Sequence, residues 1–429
     1  MSYFKNFDRS LLHERWFALL FLCLPLFFLT VKSWSSGVGI LLFLSVLLLI
    51  SRAPSKSINK NSKVVWINSL VLITPLLCET VATIGRRIFF NDPPYFPAFD
   101  TASRFLIASS VYFYLSNRSK NELFPALGLG AFLSLIFLVT TLLLHEDYFW
   151  GGHRAATSLV DPNTLGCYVM ALGGLAYFWS PENCSKIERF SIKLTAVLCS
   201  CGVAYSTYSR SAFLATAVFI FIIFCYETVG RLRLRIITLF LLSVAFISIL
   251  LSGTEAWRIH EIARDLEFFF RREAVETSIG ARIELLLIDL ELFRIYPFFG
   301  IKDGALPPFD VLSSKSSWIS PIAYEVKSNT GSHTEYTAWL VKQGLWGLLS
   351  LYAIFIYPLF YFLRRRKSQI KTVSSTAWAG LSFIMIVMVG SLGVQLLNLK
   401  LGVTFFSLVV AALFLDLNRV HSGGSFIKD

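Results

Sequence analysis

The chain has 429 residues, of which 55% are hydrophobic and only 15% are charged, whereas roughly 25% of residues are charged in an average soluble domain. Its net charge is +12 and its mean hydropathy is +0.63, and its apolar residues fall in long runs rather than at amphipathic spacing. This composition excludes a soluble enzyme, a secreted disulfide scaffold and a nucleic-acid-binding domain, and it predicts an all-α integral membrane protein.

A spanning helix requires about 20 mostly apolar residues, so the chain has room for about 12 transmembrane helices. The first apolar run follows a basic segment but has no small-residue cleavage site, and we interpret it as an anchor. The predicted spans cover approximately residues 16–31, 33–51, 64–83, 101–117, 123–144, 159–179, 191–208, 211–229, 236–252, 335–363, 375–393 and 398–416.

The basic residues predict the orientation of these spans. If the N-terminus is cytoplasmic, the inside segments hold most of the lysines and arginines, including the run at 364–367, whereas the short outside loops hold few. This asymmetry is the one that the positive-inside rule requires. The seven cysteines lie in or beside spans, and the sequence contains no Cys-x-x-Cys pair or histidine cluster. It therefore implies neither a disulfide framework nor a metal site.

One connection departs from the pattern of short loops. Residues 253–334, between the ninth and tenth spans, are too polar to cross the membrane and face outward in this topology. The chain therefore divides into nine transmembrane helices in 1–252, an outward loop in 253–334, and three helices with a cytoplasmic tail in 335–429. Apolar residues recur at helical spacing in this loop, which predicts two amphipathic helices that lie across the membrane surface or cap the bundle. They are Ile259, Ile262, Ala263, Leu266 and Phe270 in the first, and Ile279, Ile283, Leu286, Leu287 and Leu290 in the second, which ends before Pro297 and Gly300.

Most arginines of this loop have an acidic residue one helical turn away, for example Arg271 with Glu267 and Arg294 with Glu291. Such pairs are ordinary solvated ion pairs. Arg282 differs, because no acidic residue occupies the positions three and four away from it. Its partner must lie elsewhere, and it is either a carboxylate on another element or an anionic ligand.

Arg210 lies in the sequence Tyr208-Ser209-Arg210-Ser211, a polar break between two apolar runs on the outside face. It either extends its side chain to the membrane interface or, with the flanking hydroxyls, presents several donors to a phosphate group. Further arginines on the outside edge form a basic rim around the mouth of the bundle, which lipid head groups explain in part. They are Arg86, Arg87, Arg104 and Arg154.

His333 lies in Gly331-Ser332-His333-Thr334-Glu335, where the long loop re-enters the membrane. A neutral imidazole there can accept a proton from a sugar hydroxyl, as a general base must. A lone histidine at an interface is ordinarily a solvated polar residue, but this one shares its face of the membrane with the outward arginines. His145, His153 and His260 share that face too, and spacing alone does not choose among the four.

Together these features resemble the O-antigen ligase and polymerase superfamily, over about residues 80–400. The resemblance rests on Ser209-Arg210-Ser211 at a span hairpin, a long external loop with Arg282, the turn Tyr296-Pro297-Phe298-Phe299-Gly300, and His333 followed by Gly344-Leu345-Trp346-Gly347, with Asp100 and Arg104 opening a span and Arg154 ahead of Asp161-Pro162-Asn163. Thr334 departs from the pattern, since relatives often carry Asn or another amide residue there.

Family members transfer oligosaccharide from undecaprenyl pyrophosphate to an acceptor on the periplasmic face of the bacterial inner membrane. The resemblance implies a metal-independent, inverting transfer without a cofactor, with an undecaprenyl pyrophosphate-linked O-antigen donor and a lipid A-core acceptor of a Gram-negative cell as partners, beside membrane lipids. It implies that Arg210 and Arg282 hold the pyrophosphate and that His333 activates the acceptor hydroxyl. Arg154, Arg104 and Arg86 are further candidates for donor binding.

The alternatives are an O-antigen polymerase, a protein O-oligosaccharyltransferase and, from a different class, a lipid-linked sugar transporter. The span that opens with Asp100 and Arg104 and the single dominant outward loop favour the ligase over the polymerase. A transporter places ionisable residues near the middle of the bilayer, and Lys342, in the predicted tenth span, is the residue that keeps this alternative open.

Overall fold

The computed structural model describes residues 9–52, 63–94, 96–116, 122–144, 149–150, 154–179, 181, 184–228, 264–265, 267, 269–271, 278–302, 305–316 and 318–423. The predicted ninth span, most of the first amphipathic segment and three of the four outward histidines (His145, His153 and His260) lie outside the described residues. The described part is helical, apart from a short antiparallel ladder that pairs Phe149 with Ala155 and Trp150 with Arg154.

The first half of the chain supplies eight of the described helices and the ladder. They are α1 (Arg9–Leu26), α2 (Trp34–Arg52), α3 (Lys63–Phe90), α4 (Ala98–Ser116), α5 (Phe124–Leu144), β1 (Phe149–Trp150), β2 (Arg154–Ala155), α6 (Pro162–Phe178), α7 (Lys186–Ser206) and α8 (Arg210–Glu227). The second half supplies α9 (Ser278–Ile295), α10 (Phe309–Ser313), α11 (Pro321–Thr330), α12 (Glu335–Gln343), α13 (Leu345–Leu351), a π-helical turn (Tyr352–Ile356), α14 (Tyr357–Arg365), α15 (Lys371–Gly390) and α16 (Lys400–Gly423).

Six helical segments of the described chain are long and apolar enough to cross a membrane. They are Lys63–Phe90, Phe124–Leu144, Arg210–Glu227, Leu345–Arg365, Lys371–Gly390 and Lys400–Asn418, and Trp34–Ile50 is a shorter apolar helix. This confirms an all-α protein with several membrane spans. The number of twelve spans stays a prediction.

The centre of the bundle is formed by α6 and α16. Every residue of α6 apart from Asn163 is buried, and α16 packs against α2, α4 and α15. Helices in a bilayer associate through close packing, because lipid tails are as apolar as the side chains. The rings of Phe28 and Phe405 illustrate this fit, since they stack with centroids 4.0 Å apart. The packed centre holds the first residues of α6, α8 and α16 at fixed positions.

The predicted tenth span is divided at Gly344, with α12 before it and α13 after it. The φ angle of Gly344 is +60°, and a Cβ at this position would lie 2.5 Å from the carbonyl oxygen of Pro297. The backbone nitrogen of Leu345 donates to that same oxygen at 2.7 Å. The turn that begins at Tyr296 therefore docks into the break, and only glycine fits there. An apolar run in a sequence gives no sign of such a break.

The outward loop has a small apolar core of its own. The helix α9 lies where the second amphipathic helix was predicted and ends at Ile295, just before Pro297, but its apolar residues are not on the predicted face. The apolar side chains that it buries are Leu285, Ile288 and Leu292, which pack with residues of α10, α11 and α12. Leu286 and Leu290 of the predicted apolar face are instead 38% and 39% exposed. The helix is therefore fixed to the loop by a face that the apolar repeat did not identify.

Candidate active site

The hairpin between α7 and α8 is fixed to the start of α6. Ser209 is the N-cap of α8, and its hydroxyl accepts from the Ala212 backbone nitrogen at 3.3 Å. The same hydroxyl donates to Asn163 Oδ1 at 2.7 Å. Arg210 is the first residue of α8, so its position is set by a cap and by a link between two helices.

Arg154 joins this hairpin from the short ladder. Its Nε donates to the Thr207 carbonyl oxygen at 3.0 Å, and its Nη2 lies 3.3 Å from Asn163 Oδ1. Asn163 thus accepts from both Arg154 and Ser209, which places Arg154 beside the residue that precedes Arg210. The two arginines are 56 positions apart in the sequence, and the fold brings them to one site.

Arg282 reaches the same site from α9 in the outward loop. Burial lowers the pKa of its guanidinium below the usual value, and the nearby charges of Arg210 and Arg154 lower it further, while Asp161 opposes them. Within the described part of the chain, the side chain of Arg282 takes part in no hydrogen bond or ion pair. A guanidinium stays protonated in proteins, so Arg282 brings a third positive charge to Arg154 and Arg210.

The segment between α15 and α16 approaches these arginines closely at Gly393. A Cβ on Gly393 would lie 2.3 Å from Ser211 Oγ and 3.7 Å from Arg282 Nη1. A larger residue would displace either the segment or the hairpin. We call Arg154, Arg210 and Arg282 the guanidinium cluster.

Two described carboxylates, Asp265 and Asp161, lie near the guanidinium cluster, and Asp161 also caps a helix. Asp265 Oδ2 is 3.7 Å from Arg210 Nη1, which is a long ion pair. Asp161 is the N-cap of α6, and it accepts from the backbone nitrogens of Asn163 and Thr164 at 2.8 and 3.3 Å. The described residues thus bring three guanidinium groups together at one place. Such a cluster suits a phosphate or pyrophosphate group, because guanidinium forks match its oxygens.

His333 lies in a turn between α11 and α12 that is held by a buried network. Lys327 Nζ donates to Asp289 Oδ1 and to Ser332 Oγ, the latter at 2.6 Å. Ser332 Oγ donates to Asp289 Oδ1 at 3.0 Å, and Thr337 Oγ1 donates to Asp289 Oδ2. The side chains of Lys327 and Asp289 are only 4% and 2% exposed. A buried hydrogen-bond network of this kind fixes the backbone around it.

Thr334 has a structural role next to the histidine. It is the N-cap of α12, and its Oγ1 accepts from the Thr337 backbone nitrogen at 3.2 Å. Asn and Thr are both favourable N-cap residues. The departure from the family pattern at this position therefore preserves the helix start on which the His333 turn depends.

The surroundings of His333 favour its neutral form. Burial lowers the pKa of the imidazole below its usual value, and the cations Arg282 and Lys327 lower it further, while Asp289 opposes them. A neutral imidazole at pH 7 can accept a proton. The segment between α15 and α16 links the histidine turn to the guanidinium cluster, because Gly393 lies against Arg282 and Gln395 donates to the carbonyl oxygen of Ser332, next to His333. The histidine and the cluster are therefore parts of one candidate site.

Arg86 is held in a different place, inside the bundle. It is 4% exposed, and its Nη2 donates to Glu79 Oε1 and Thr83 Oγ1, both at 2.9 Å. Its Nη1 donates to the backbone oxygens of Phe299, at 3.0 Å, and of Lys342. Arg86 thus fastens the Tyr296 turn to the break at Gly344.

Arg104 is also separate from the guanidinium cluster. Its Nη2 lies 2.9 Å from Asp100 Oδ1, one helical turn earlier, and Asp100 also pairs with Lys400 at the start of α16. The structure therefore brings together four of the six residues proposed from the sequence and places Arg86 and Arg104 in two other ionic contacts.

Sequence reasoning missed several residues that build the site. Asp289 has a recognisable signal, since it lies seven residues after Arg282 and so on the same helix face. Lys327 and Gly393 have none, because each acts on a residue that is distant in the sequence.

Glu335 and Tyr336, which follow the histidine, are engaged elsewhere. Glu335 accepts from Trp339 Nε1 at 2.7 Å and from the Leu397 backbone nitrogen at 2.8 Å, and Tyr336 donates to the Met388 carbonyl oxygen at 2.8 Å. Glu335 binds the start of α12 to the connection between α15 and α16, and Tyr336 binds it to the end of α15.

A comparison with protein-family models matches residues 195–352 to the family described as O-Antigen ligase. The matched range contains Arg210, Arg282 and His333, together with the turn at 296–300 and the break at Gly344. No curated protein matches the chain.

Proposed function

We propose that this chain, whose residues 195–352 match the O-antigen ligase family, is an O-antigen ligase. In this proposal it transfers O-antigen polysaccharide from undecaprenyl pyrophosphate to the lipid A core. The observation that carries this proposal is the convergence of Arg154, Arg210 and Arg282 beside a histidine whose pKa is lowered. Because the pyrophosphate is an activated leaving group, the reaction needs two things from the protein. It needs stabilisation of the departing negative charge and removal of a proton from the attacking hydroxyl.

In the proposed step, the acceptor hydroxyl attacks the anomeric carbon of the donor sugar while the bond from that carbon to the pyrophosphate oxygen breaks. The hydroxyl proton passes to His333, and the guanidinium cluster stabilises the negative charge that develops on the pyrophosphate. Interactions that strengthen as this charge develops accelerate the reaction. A single direct displacement inverts the configuration at the anomeric carbon, without a metal ion or cofactor.

We assign the donor pyrophosphate to Arg154, Arg210 and Arg282. Arg86 and Arg104 receive structural roles in this proposal, because Glu79 and Asp100 already pair with them. In the proposed topology the site faces the periplasm from the inner membrane of a Gram-negative bacterium. The distribution of basic residues along the chain supports this orientation.

The polymerase and the protein O-oligosaccharyltransferase remain alternatives, because both use the same kind of donor. The single outward loop, with its own core around Leu285, Ile288 and Leu292, supports the ligase. The transporter has less support. Lys342 lies in α12, before the candidate span Leu345–Arg365 begins, so it does not supply a charge to the middle of that helix.

The test is transfer by the purified chain in detergent with EDTA, from undecaprenyl pyrophosphate oligosaccharide, with lipid A core in one reaction and donor alone in the other. We expect product on lipid A core only, and its loss in His333→Ala. Arg87→Ala is the matched control, because Arg87 is an exposed outward arginine outside the guanidinium cluster. Chain extension with donor alone would identify a polymerase, and absence of transfer in both reactions would favour the transporter.

A further inference from the structure

A second group of cations lies at the opposite end of the bundle from the guanidinium cluster. The helix α15 ends at Gly390, three residues before Gly393, and its first residue, Lys371, lies about 30 Å away along the helix axis. The stretch 364–371 covers the end of α14 and the start of α15, and we call it the basic turn. Its five cations are Arg364, Arg365, Arg366, Lys367 and Lys371.

The basic turn has no acidic residue of its own. The sequence contains neither Asp nor Glu between Glu335 and Asp416, and within the described part of the chain no ion pair joins the five cations to a carboxylate. Two carboxylates on helices that pack against α15 have other contacts. Glu227 of α8 pairs with Lys193, and Asp416 of α16 accepts from two backbone nitrogens at the start of α5. The described residues therefore leave the charge of the basic turn without a counter-charge.

Two of the five cations are packed on aromatic rings, and three are presented outward. The Cζ atom of Arg365 lies 3.7 Å from the centroid of the Tyr361 ring, and that of Arg366 lies 5.3 Å from the Trp378 ring. Cation–π contacts of this kind hold a guanidinium in place. The Ser374 hydroxyl donates to the Arg366 carbonyl oxygen at 2.8 Å, which fixes the path of the turn. The three exposed cations are Arg364, Lys367 and Lys371.

Apolar side chains lie beside these exposed cations. The basic turn connects two candidate spans, Leu345–Arg365 and Lys371–Gly390, so it lies at a membrane boundary. Phe360, one helical turn before Arg364, is 56% exposed, and Ile370 within the turn is 48% exposed. A soluble acidic partner would match the charges but not these apolar side chains. A molecule with an anionic head and apolar chains matches both.

We propose that the basic turn binds the head group of an anionic phospholipid, with Arg364, Lys367 and Lys371 on the phosphate and Phe360 and Ile370 against the acyl chains. Clusters of about 4–8 lysines and arginines directly beside a transmembrane helix attract anionic lipids. The positive-inside rule explains on which side of the membrane the cations lie. It does not explain why they are separated from carboxylates and exposed beside apolar side chains. The site goes beyond the proposed function and does not depend on it.

The test measures lipid binding rather than transfer. The purified full chain in a neutral detergent is titrated with phosphatidylglycerol or with phosphatidylcholine, and the bound lipid is counted by native mass spectrometry. We expect phosphatidylglycerol to bind more tightly, and the triple variant Arg364→Gln, Lys367→Gln, Lys371→Gln to raise its Kd at least about tenfold. The matched control removes the same number of charges from exposed positions outside the basic turn. It consists of Lys32→Gln, Arg87→Gln and Lys315→Gln.

An unchanged Kd in the triple variant, an equal Kd for the two lipids, or an equal rise of the Kd in the control would overturn the site. Loss of lipid binding in Arg282→Ala would also overturn it, because the lipid would then occupy the guanidinium cluster.

A second measurement uses the wild-type chain alone and so does not depend on the folding of a variant. Binding of phosphatidylglycerol should weaken as the NaCl concentration rises, since salt screens exposed charges, and binding that is independent of salt would contradict the proposal. Neither glycerophosphoglycerol, which is the same head group without acyl chains, nor polyglutamate should displace the lipid at equal concentration. Displacement by either would indicate a soluble phosphate or an acidic protein as the ligand and would overturn the lipid site.

Discussion

The buried pair of Asp289 and Lys327 gives a sharp test of how the His333 turn is held. Their side chains are 2% and 4% exposed, so both charges are almost entirely shielded from water in the folded chain. In Asp289→Asn the Lys327 ammonium stays buried and keeps Ser332 Oγ as a partner but loses its counter-charge. Removing one member of a buried ion pair costs about 3–5 kcal/mol, because the other charge remains uncompensated.

We therefore expect Asp289→Asn to lower the free energy of unfolding by about 3–5 kcal/mol, measured by denaturation with SDS in mixed micelles. Combining it with Lys327→Met should recover most of this loss, because no charge then remains buried without a partner. Transfer should stay low in both variants, because both lose the hydrogen bonds to Asp289 that hold Lys327 and Ser332, and with them the turn that carries His333.

The control is Glu267→Gln, which removes the pair of Glu267 and Arg271 in the same loop. These side chains are 55% and 60% exposed, and an exposed pair contributes less than about 1 kcal/mol. If Asp289→Asn lowered the free energy of unfolding by no more than Glu267→Gln does, the reasoning would be refuted. So would a double variant less stable than Asp289→Asn alone.

The remaining predictions concern the arginines, the histidine and the close approach at Gly393. Arg86→Met should destabilise the fold by about 3–5 kcal/mol, seen as a lower melting temperature in detergent, and a variant as stable as wild type would contradict its structural role. Arg282→Lys keeps the positive charge but loses the paired N–H donors of the guanidinium group, and it should lower kcat/KM for the donor about 10²-fold or more while the melting temperature stays unchanged. Retention of activity would show that the charge alone is sufficient. The surroundings lower the pKa of His333, so transfer should decline on acidification only at a pH below the usual histidine value of about 6.5. In Arg282→Gln one of the charges that lower this pKa is removed, so the residual transfer activity should begin to decline at a higher pH than in wild type. The unfolded chain binds this proton more readily than the folded chain, so stability from His333 is present above pH ~6.5 and decreases as the pH falls below it, which thermal unfolding across pH 5 to 8 in wild type and His333→Gln would detect. Gly393→Val places carbon where Ser211 Oγ already lies, and it should reduce transfer and the melting temperature together, whereas unchanged values for both would show that the segment moves freely.

Part of the site could be predicted because its residues lack local explanations. Arg282 has no acidic residue one turn away, and Arg210 lies in a polar break on the outside face. Each therefore pointed to a contact outside its own helix, and in the structure the two arginines are near each other. His333 was chosen from four outward histidines by resemblance, since spacing alone did not choose among them.

The presence of an acidic residue on the same helix face distinguishes Arg86 and Arg104 from the arginines of the guanidinium cluster. Asp100 lies four residues before Arg104, and Glu79 lies seven residues before Arg86, so each pair shares a helix face. Both pairs are ionic contacts in the structure. The break at Gly344 could not be predicted in this way, because it depends on the docking of a distant turn.

The helix α9 carries Arg282 and Asp289 seven residues apart, which is about 10 Å along its axis and nearly the same angular position. The number of residues between Arg282 and Asp289 therefore sets the distance from the guanidinium cluster to the carboxylate that holds the His333 turn. Insertion or deletion of one residue between them would rotate one side chain by about 100° away from the other. Substitutions in this stretch alter what the helix touches, but a change in its length would separate the two halves of the site.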